Sequence, residues 1–173
     1  QVNVTSLVTI TFSEAVTGFA NADVTVANGT LTALTSADGG ITWTGTFTPT
    51  DSIEDTSNVV TLANTYTDVA GNTGTTASSA NYTIDTIAPT LDITEADSNL
   101  SAGETTTLTF TFSEAVSGFA AGDVTVAGGT LGALSSADGG VTWTASFTQS
   151  GADAPSVSVA NDSYTDVAGN NGS

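Results

Sequence analysis

The sequence of 173 residues contains no lysine, arginine, histidine, cysteine or methionine. Without Lys or Arg, no side chain can neutralise nucleic-acid phosphates or attract anionic lipid headgroups, so we expect no nucleic-acid partner and no direct membrane contact. Ser–His and Cys–His pairs, Schiff-base lysines, disulfides and thiolates are excluded in the same way. Carboxylate pairs remain, but the acids recur at duplicated loop positions, which is poor evidence for a catalytic cleft. We therefore predict that the chain is not an enzyme.

Negative charge is the dominant property of the residues that the sequence does contain. Asp and Glu number 18, so the formal net charge is −18, and hydrophobic residues make up 39% of the chain, which is enough for packed cores. The acids are spread along the sequence, and a folded protein this acidic repels itself unless cations relieve the repulsion. No apolar run approaches the roughly 20 residues of a membrane span, and no signal-peptide pattern is present.

A long internal repeat determines the predicted organisation. The 40 residues Val8–Phe47 recur at Leu108–Phe147, 100 positions later, and 29 of these 40 aligned positions are identical. Further along, YTDVAGN at Tyr66–Asn72 recurs at Tyr164–Asn170, 98 positions later. A period near 100 residues is the size of a whole domain and is too long for the repeating unit of a solenoid. The repeat therefore predicts two tandem domains.

Domain bounds follow from the alignment of the two copies. We predict a first repeat over residues 1–84, a short stiff linker over 85–89 and a second repeat over 90–173. The first repeat lacks a counterpart of the opening strand Leu91–Ile93, and the second lacks a counterpart of the last strand Asn81–Ile84. We expect the natural protein to continue in both directions.

Each repeat has the periodicity of β-strands. Leu108, Phe110 and Phe112 alternate with threonine, and Trp43 and Trp143 fall at inward positions of a later alternating run, where we expect equivalent core sites. Turn residues separate such runs at intervals of roughly 8–12 residues. Further short strands are predicted at Val124–Val126, Leu131–Leu134 and Val157–Val159. This pattern predicts an all-β fold, a seven-stranded sandwich for each repeat.

Four segments resemble one known class of repeat. They are DTIAPTLDIT at 85–94, SAGETTTLTFTFSEAVSGF at 101–119, GDVTVAGGTL at 122–131 and YTDVAGN near the end of each copy. Together they resemble the bacterial immunoglobulin-like repeats of giant biofilm-associated and RTX-type surface adhesins. The resemblance implies an extracellular extender module, which projects an adhesive tip, contacts neighbouring repeats of its own chain and is stiffened by calcium at the domain junctions.

Calcium is the metal that the available ligands suit, because it takes six to eight carboxylate, amide and carbonyl oxygens. Alternation of strand direction puts the loop after the second strand, the start of the third and the YTDVAGN loop at one end of each sandwich, where the linker arrives. The predicted ligands of the junction are Asp85, Glu114, Asp166 and Asn170, with Asp123 as a further candidate. Their counterparts in the first repeat are Glu14, Asp23, Asp68 and Asn72. The opposite end of the preceding repeat offers Asp51, Glu54 and Asp55.

Other interpretations of these acids stay open. Asp138, followed by two glycines, is more typical of a plain turn than of a ligand. Asp123 fits the end of a strand as well as it fits a metal, and Asp97 with Asn99 lies in a loop at the other end that would serve a further junction. No EF-hand loop is present.

Two alternative functions remain beside the extender. The repeats that lack a strand could accept one from a neighbour, which would make the chain a self-assembling subunit of an extracellular filament or surface layer that binds copies of itself. A carbohydrate-binding module would need exposed aromatic platforms, and the inward positions of most aromatic residues argue against it.

Overall fold

The computed structural model describes residues 4–151 and 154–173, and it divides into two compact units, Gln1–Ile87 and Ala88–Ser173. Apart from short 3-10 turns at Asn21–Asp23 and Ala121–Asp123, the regular structure is β. None of the helical segments in the described part of the chain has the length and apolar character of a membrane span. Because threonine and valine dominate the sequence between frequent glycine turns, short strands are the expected result.

The first unit is built from short antiparallel strands. Its strands are β1 (Ser6–Thr11), β2 (Val16–Thr17), β3 (Val24–Thr25), β4 (Gly29–Leu31), β5 (Thr35–Ser36), β6 (Thr42–Pro49), β7 (Glu54–Asn58), β8 (Thr61–Leu62), β9 (Thr67–Asp68), β10 (Ala77–Ser78) and β11 (Tyr82–Asp85). Strands β1, β6 and β4 form one sheet in that order, and β5 also pairs with β6. A second sheet has the order β10-β8-β3, and β11–β7 and β2–β9 are separate pairs.

The second unit shares the main sheet of the first and has one further strand at its edge, but no strand among its described residues corresponds to β7, β10 or β11. Its strands are β12 (Leu91–Glu95), β13 (Thr105–Phe112), β14 (Val116–Ser117), β15 (Val124–Ala127), β16 (Gly129–Leu131), β17 (Ser135–Ser136), β18 (Thr142–Gln149), β19 (Ser156–Val159) and β20 (Thr165–Asp166). Strands β12, β13, β18 and β16 form the main sheet in that order, with β17 on β18, while β14–β20 and β15–β19 are separate pairs. Strand β12 covers an edge of β13 whose counterpart, the edge of β1, borders no other strand among the described residues.

Aromatic side chains fill the core of each β-sandwich. In the second unit the ring of Phe119 lies 5.1 Å from that of Phe112 and 5.6 Å from that of Trp143. In the first unit Phe19 makes the corresponding contacts at 5.1 Å and 5.2 Å. Both indoles are half-buried against their cores, and each donates its Nε1–H to a glycine carbonyl at 3.1 Å. The predicted equivalence of the two tryptophans is confirmed.

The observed strands differ from the prediction in two respects, the length of one strand and the number of strands in each unit. Leu131–Leu134 was expected as one strand, but β16 ends at Leu131 and the Gly132 N–H then donates to the Ser146 carbonyl at 2.7 Å. Leu134 packs half-buried against the core from irregular chain. The prediction of seven strands for each unit was too low, because several sheets are made of strands only two residues long, which leave no period in a sequence.

Candidate metal centre

The YTDVAGN loop of the second unit is closed by hydrogen bonds between Asp166 and Asn170. The Asn170 N–H donates to Asp166 Oδ1 at 2.8 Å, and Asn170 Nδ2 donates to Asp166 Oδ2 at 2.6 Å. Two backbone hydrogen bonds, from Asp166 N–H to the Asn170 carbonyl at 3.0 Å and from Gly169 N–H to the Asp166 carbonyl at 3.3 Å, complete the turn. The loop thus holds the carboxylate in one orientation, and each oxygen has a further lone pair for another ligand.

Glu114 is brought to this loop by a strand pair of only two residues. Val116 of β14 is opposite Asp166 of β20, so the chain just before β14 runs beside the carboxylate. One carboxylate oxygen of Glu114 lies within 4.8 Å of one of Asp166. Asp166 is 1% exposed and Asn170 is 4% exposed, while Glu114 is half-buried. The second unit therefore holds two neighbouring carboxylates, one of them buried, in a chain without a basic side chain.

The first unit repeats the loop in a more open setting. Asn72 donates its N–H to Asp68 Oδ1 at 2.8 Å and its Nδ2 to Asp68 Oδ2 at 2.6 Å. These bonds, with that from the Asn72 side chain the larger influence, lower the pKa of Asp68. Glu14, Asp68 and Asn72 all line one cavity of about 560 Å³. Three of the four predicted counterparts thus line one space, which Asp23 does not, and two of the three, Glu14 and Asn72, are exposed.

Asp23 and Asp123 are used in a different way. Each lies in the 3-10 turn that precedes a strand, and its Oδ2 accepts the N–H of the residue three positions earlier, Ala20 at 2.8 Å and Ala120 at 2.7 Å. Asp23 also accepts a hydrogen bond from the Thr65 hydroxyl. Of the two interpretations given above for Asp123, these contacts support a structural role in the turn, and its place as a calcium ligand stays a prediction.

Asp85 is the last residue of β11 in the first unit. Its Oδ1 accepts the N–H of Ile87 at 3.1 Å, and the register of β7 and β11 places it directly opposite Glu54. Like charges directly opposite each other destabilise a strand pair. The neighbouring Asp55 is engaged, because its Oδ2 accepts from Asn28 Nδ2 at 2.7 Å, whereas Asp51 lies in an exposed turn. The end of the first unit is therefore a second place where carboxylates face each other.

Asp138 and its counterpart Asp38 brace a turn. Oδ1 of Asp138 accepts from the Ser136 hydroxyl and from the Thr142 N–H, both at 2.9 Å, and Asp38 makes the same two contacts at the same distance. The bonds from the residue at the end of each turn, Thr42 or Thr142, are the main cause that lowers the pKa of both carboxyls from 3.8 to about 2. The turn interpretation of Asp138 is confirmed. Asp97 forms a similar local bond, from the Asn99 N–H at 2.9 Å.

The hydrogen bonds of Asp38 and Asp138 predict how the stability of the fold depends on pH. Because the pKa of Asp38 and of Asp138 is lower in the folded state, the stability they add is present above pH 3.8 and is lost as the pH falls to about 2. We expect urea midpoints, measured in EDTA, to fall across this range. The double variant Asp38→Asn, Asp138→Asn keeps one acceptor oxygen at each turn and should show a shallower fall. An identical slope for the two proteins would contradict the assignment.

Sequence reasoning missed a polar network in the first unit. Asn58 is 1% exposed and accepts from Asn28 Nδ2 at 2.9 Å, while its own Nδ2 donates to the Asp55 carbonyl at 2.9 Å. Asn28 has a positive φ of 54°, a conformation that asparagine tolerates better than most residues. The Asn28-Gly29 pair was the available signal, but the partner 30 positions away could not be inferred from it.

The donor set of the site in the second unit fits calcium. Carboxylate and amide oxygens are hard ligands, and the loop supplies them in a fixed arrangement without nitrogen or sulfur, which zinc would favour. The bacterial Ig-like domain model matches residues 1–84 and again residues 85–173. The chain belongs to the bacterial Ig-like domain family. No curated protein matches it.

Membership of the bacterial Ig-like family accounts for the general character of the chain. Domains of this family are typically structural and non-enzymatic, and they usually lie in surface or extracellular proteins, where they form repeats. The two tandem Ig-like β-sandwiches described above agree with this assignment.

Proposed function

We propose that this chain is a calcium-stiffened extender segment of a secreted bacterial cell-surface adhesin or biofilm matrix protein. The observation that carries the proposal is the buried carboxylate of Asp166 with Glu114 beside it, in a chain that has no Lys, Arg or His. An ionised carboxylate is costly to bury unless it is paired with a cation or binds a metal. A divalent cation would offset both the burial and the repulsion between the two acids.

Within the second unit, Asp166, Glu114 and Asn170 are the proposed ligands. Asp166 and Asn170 come from one loop, and Glu114 from the chain that precedes β14, so binding ties two segments of the sandwich together. Sites of this kind in extracellular modules bind calcium with dissociation constants on the order of 10⁻⁴–10⁻³ M. Affinity in this range suffices where the surrounding calcium is millimolar.

Asp85 is the proposed ligand from the first unit. It ends β11 and precedes Pro89 by four residues, and the Pro89 carbonyl accepts the N–H of Ser173 within the second unit. The covalent path from Asp85 to the second unit is therefore short, which supports its inclusion. Glu54, opposite Asp85 in the register, adds the repulsion that a cation would relieve. A ligand from each unit would restrict motion between neighbouring repeats.

Calorimetric titration of calcium into the chelator-treated chain tests the proposal. With a dissociation constant of 1 mM, 10 mM calcium would stabilise the bound unit by about 1.4 kcal/mol, which corresponds to an increase in Tm of roughly 5–10 °C for a unit of this size. The double variant Glu114→Gln, Asp166→Asn should lose the binding heat and the Tm shift. Absence of binding heat at millimolar calcium would refute the site.

Matched variants separate the parts of the proposal. Asp138→Asn removes the same unit of charge from a residue in a turn and should leave calcium binding intact. Asp85→Asn should weaken binding and broaden the interdomain distance distribution in small-angle scattering with calcium. If Asp85→Asn changes neither quantity, calcium acts within the second unit alone and the stiffening role is wrong.

A further inference from the structure

The chain that leaves the first unit stays bound to that unit for one residue beyond β11. Thr86 is 3% exposed, and its N–H donates to the Ile53 carbonyl at 2.8 Å. Its hydroxyl donates to the Thr50 carbonyl at 2.8 Å and accepts the Ile53 N–H at 2.9 Å. Thr86 therefore fastens the end of β11 to the turn between β6 and β7, with its backbone and its side chain together.

The residues on either side of Thr86 extend this anchor along the chain. Ile84 is 5% exposed in the core of the first unit, and Asp85 is opposite Glu54 in the pairing of β11 with β7. Asp85 Oδ1 also accepts the N–H of Ile87 at 3.1 Å. The first unit therefore holds the backbone from Ile84 through Thr86 and up to the N–H of Ile87.

The chain is fixed again where it enters the second unit. Pro89 is fully buried, and its ring sets its own φ near −65° and restricts the preceding Ala88 to extended conformations. The next residue, Thr90, donates its N–H to the Ser113 hydroxyl at 3.0 Å, and its carbonyl accepts the Ser113 N–H at 3.0 Å. The second unit therefore holds the backbone from Pro89 onwards.

We propose that Thr86 is a positioning residue that anchors the connection between the repeats, so that motion between the two units is confined to Ile87 and Ala88 even without calcium. Two extended residues span at most about 7 Å, against roughly 17 Å for the five residues 85–89 of the linker expected from the sequence. Since Pro89 also limits Ala88, the connection has little freedom of its own. This inference does not rest on the proposed calcium site.

The threonine hydroxyl is the part of the anchor that a substitution can remove cleanly. Valine has nearly the same shape but neither donates nor accepts, so Thr86→Val would leave the Ile53 N–H without its acceptor and the Thr50 carbonyl without this donor. A polar group left without a partner inside a protein is costly, and the end of β11 would then detach more often. Thr86→Ser keeps a hydroxyl at the same position and is the matched control.

Distances between spin labels, measured in EDTA by pulsed electron paramagnetic resonance, test the proposal. The chain has no cysteine, so Thr30→Cys and Thr130→Cys place one label at an exposed, equivalent position of each unit. We expect a narrow distance distribution, and insertion of Gly-Ser-Gly between Ile87 and Ala88 should make it about twice as wide.

Thr86→Val should also broaden the distribution, whereas Thr86→Ser should leave it unchanged. Hydrogen exchange of the Ile53 amide should become about tenfold faster in Thr86→Val, the effect of losing one hydrogen bond. Broadening reports on the connection and not on the fold, because the Gly-Ser-Gly insertion should leave the exchange of Ile53 as it is.

Equal widths for the unchanged chain and the insertion variant would show a flexible connection and overturn the proposal. An unchanged width in Thr86→Val, despite faster exchange at Ile53, would overturn the role of Thr86, which would then support the first unit alone. If Thr86→Val does not fold, the unchanged chain still decides, because its Ile53 amide should exchange as slowly as those of β6 and fast exchange would refute the anchor. Failure of calcium to bind would leave each of these results in EDTA as it is.

Discussion

Replacing Phe112 by alanine should reduce the free energy of unfolding of the second unit by about 3–5 kcal/mol, the usual cost of removing a fully buried phenylalanine. Phe112 is 2% exposed, and its ring lies 5.1 Å from that of Phe119 and 4.8 Å from that of Tyr164. Leu91 of β12 lies opposite it across the strand pair. Truncation would leave a cavity among residues that the sheet holds in place.

The first unit offers a matched comparison. Phe12 makes the same aromatic contacts, at 5.1 Å to Phe19 and 4.9 Å to Tyr66, but it is only half-buried, because no strand like β12 covers it among the residues that the structure describes. Phe12→Ala should therefore cost less, roughly 1–3 kcal/mol, since the transferred area is smaller and the site can collapse toward the cavity of about 560 Å³ that Phe12 lines. The difference between the two variants measures what the additional strand contributes.

Each unit has its own tryptophan, so the two unfolding reactions can be followed separately. With Trp43→Phe as background, fluorescence reports the second unit, and with Trp143→Phe it reports the first. Urea titration of Phe112→Ala in the Trp43→Phe background, and of Phe12→Ala in the Trp143→Phe background, gives the loss in free energy of unfolding for each unit. Equal losses for Phe12→Ala and Phe112→Ala would show that β12 adds nothing to the packing of the phenylalanine.

The comparison of these two phenylalanines also shows where prediction from sequence ends. Alternation of Leu108, Phe110 and Phe112 with threonine predicts a strand and its inward face, because side chains on a strand point to opposite faces in turn. The two copies are nearly identical here, but the first repeat lacks a counterpart of Leu91–Ile93, so the sequence already predicts a less covered face in the first repeat. Burial differs because coverage comes from β12, whose pairing with β13 is a long-range contact that local sequence does not reveal.

The candidate site shows the same limit. Residue type, repetition, the alternation of strand direction and the resemblance to adhesin repeats together singled out Asp166, Asn170 and Glu114 as candidate ligands. The proximity of Glu114 to Asp166 depends on β14 and β20, which are two residues long and carry no periodic signal. Asp123 accepts the Ala120 N–H in a 3-10 turn, and this contact could not be predicted without the local backbone geometry.

Replacing Gly140 by alanine should be strongly destabilising, by about 3 kcal/mol or more. The φ angle of Gly140 is +103°, where a residue with a side chain is strained by about 1–3 kcal/mol. A Cβ atom there would also lie 2.6 Å from the Val116 carbonyl oxygen, a backbone atom that can move only if β14 moves. Because the Gly140 carbonyl accepts the Val116 N–H at 3.1 Å, the same shift would break this bond.

Gly139 is the matched control, one position earlier in the same turn. Its φ is +78°, but a Cβ atom there would meet no atom within 4 Å, so Gly139→Ala should cost only the backbone strain of about 1–2 kcal/mol. Displacement of β14 by Gly140→Ala would also move Val116 away from Asp166, since the two residues are paired. Gly140→Ala should therefore weaken calcium binding in the proposed site, whereas Gly139→Ala should leave it unchanged. Similar stability and similar calcium affinity for the two variants would show that the turn does not position β14, and that the placement of Glu114 beside Asp166 has another cause.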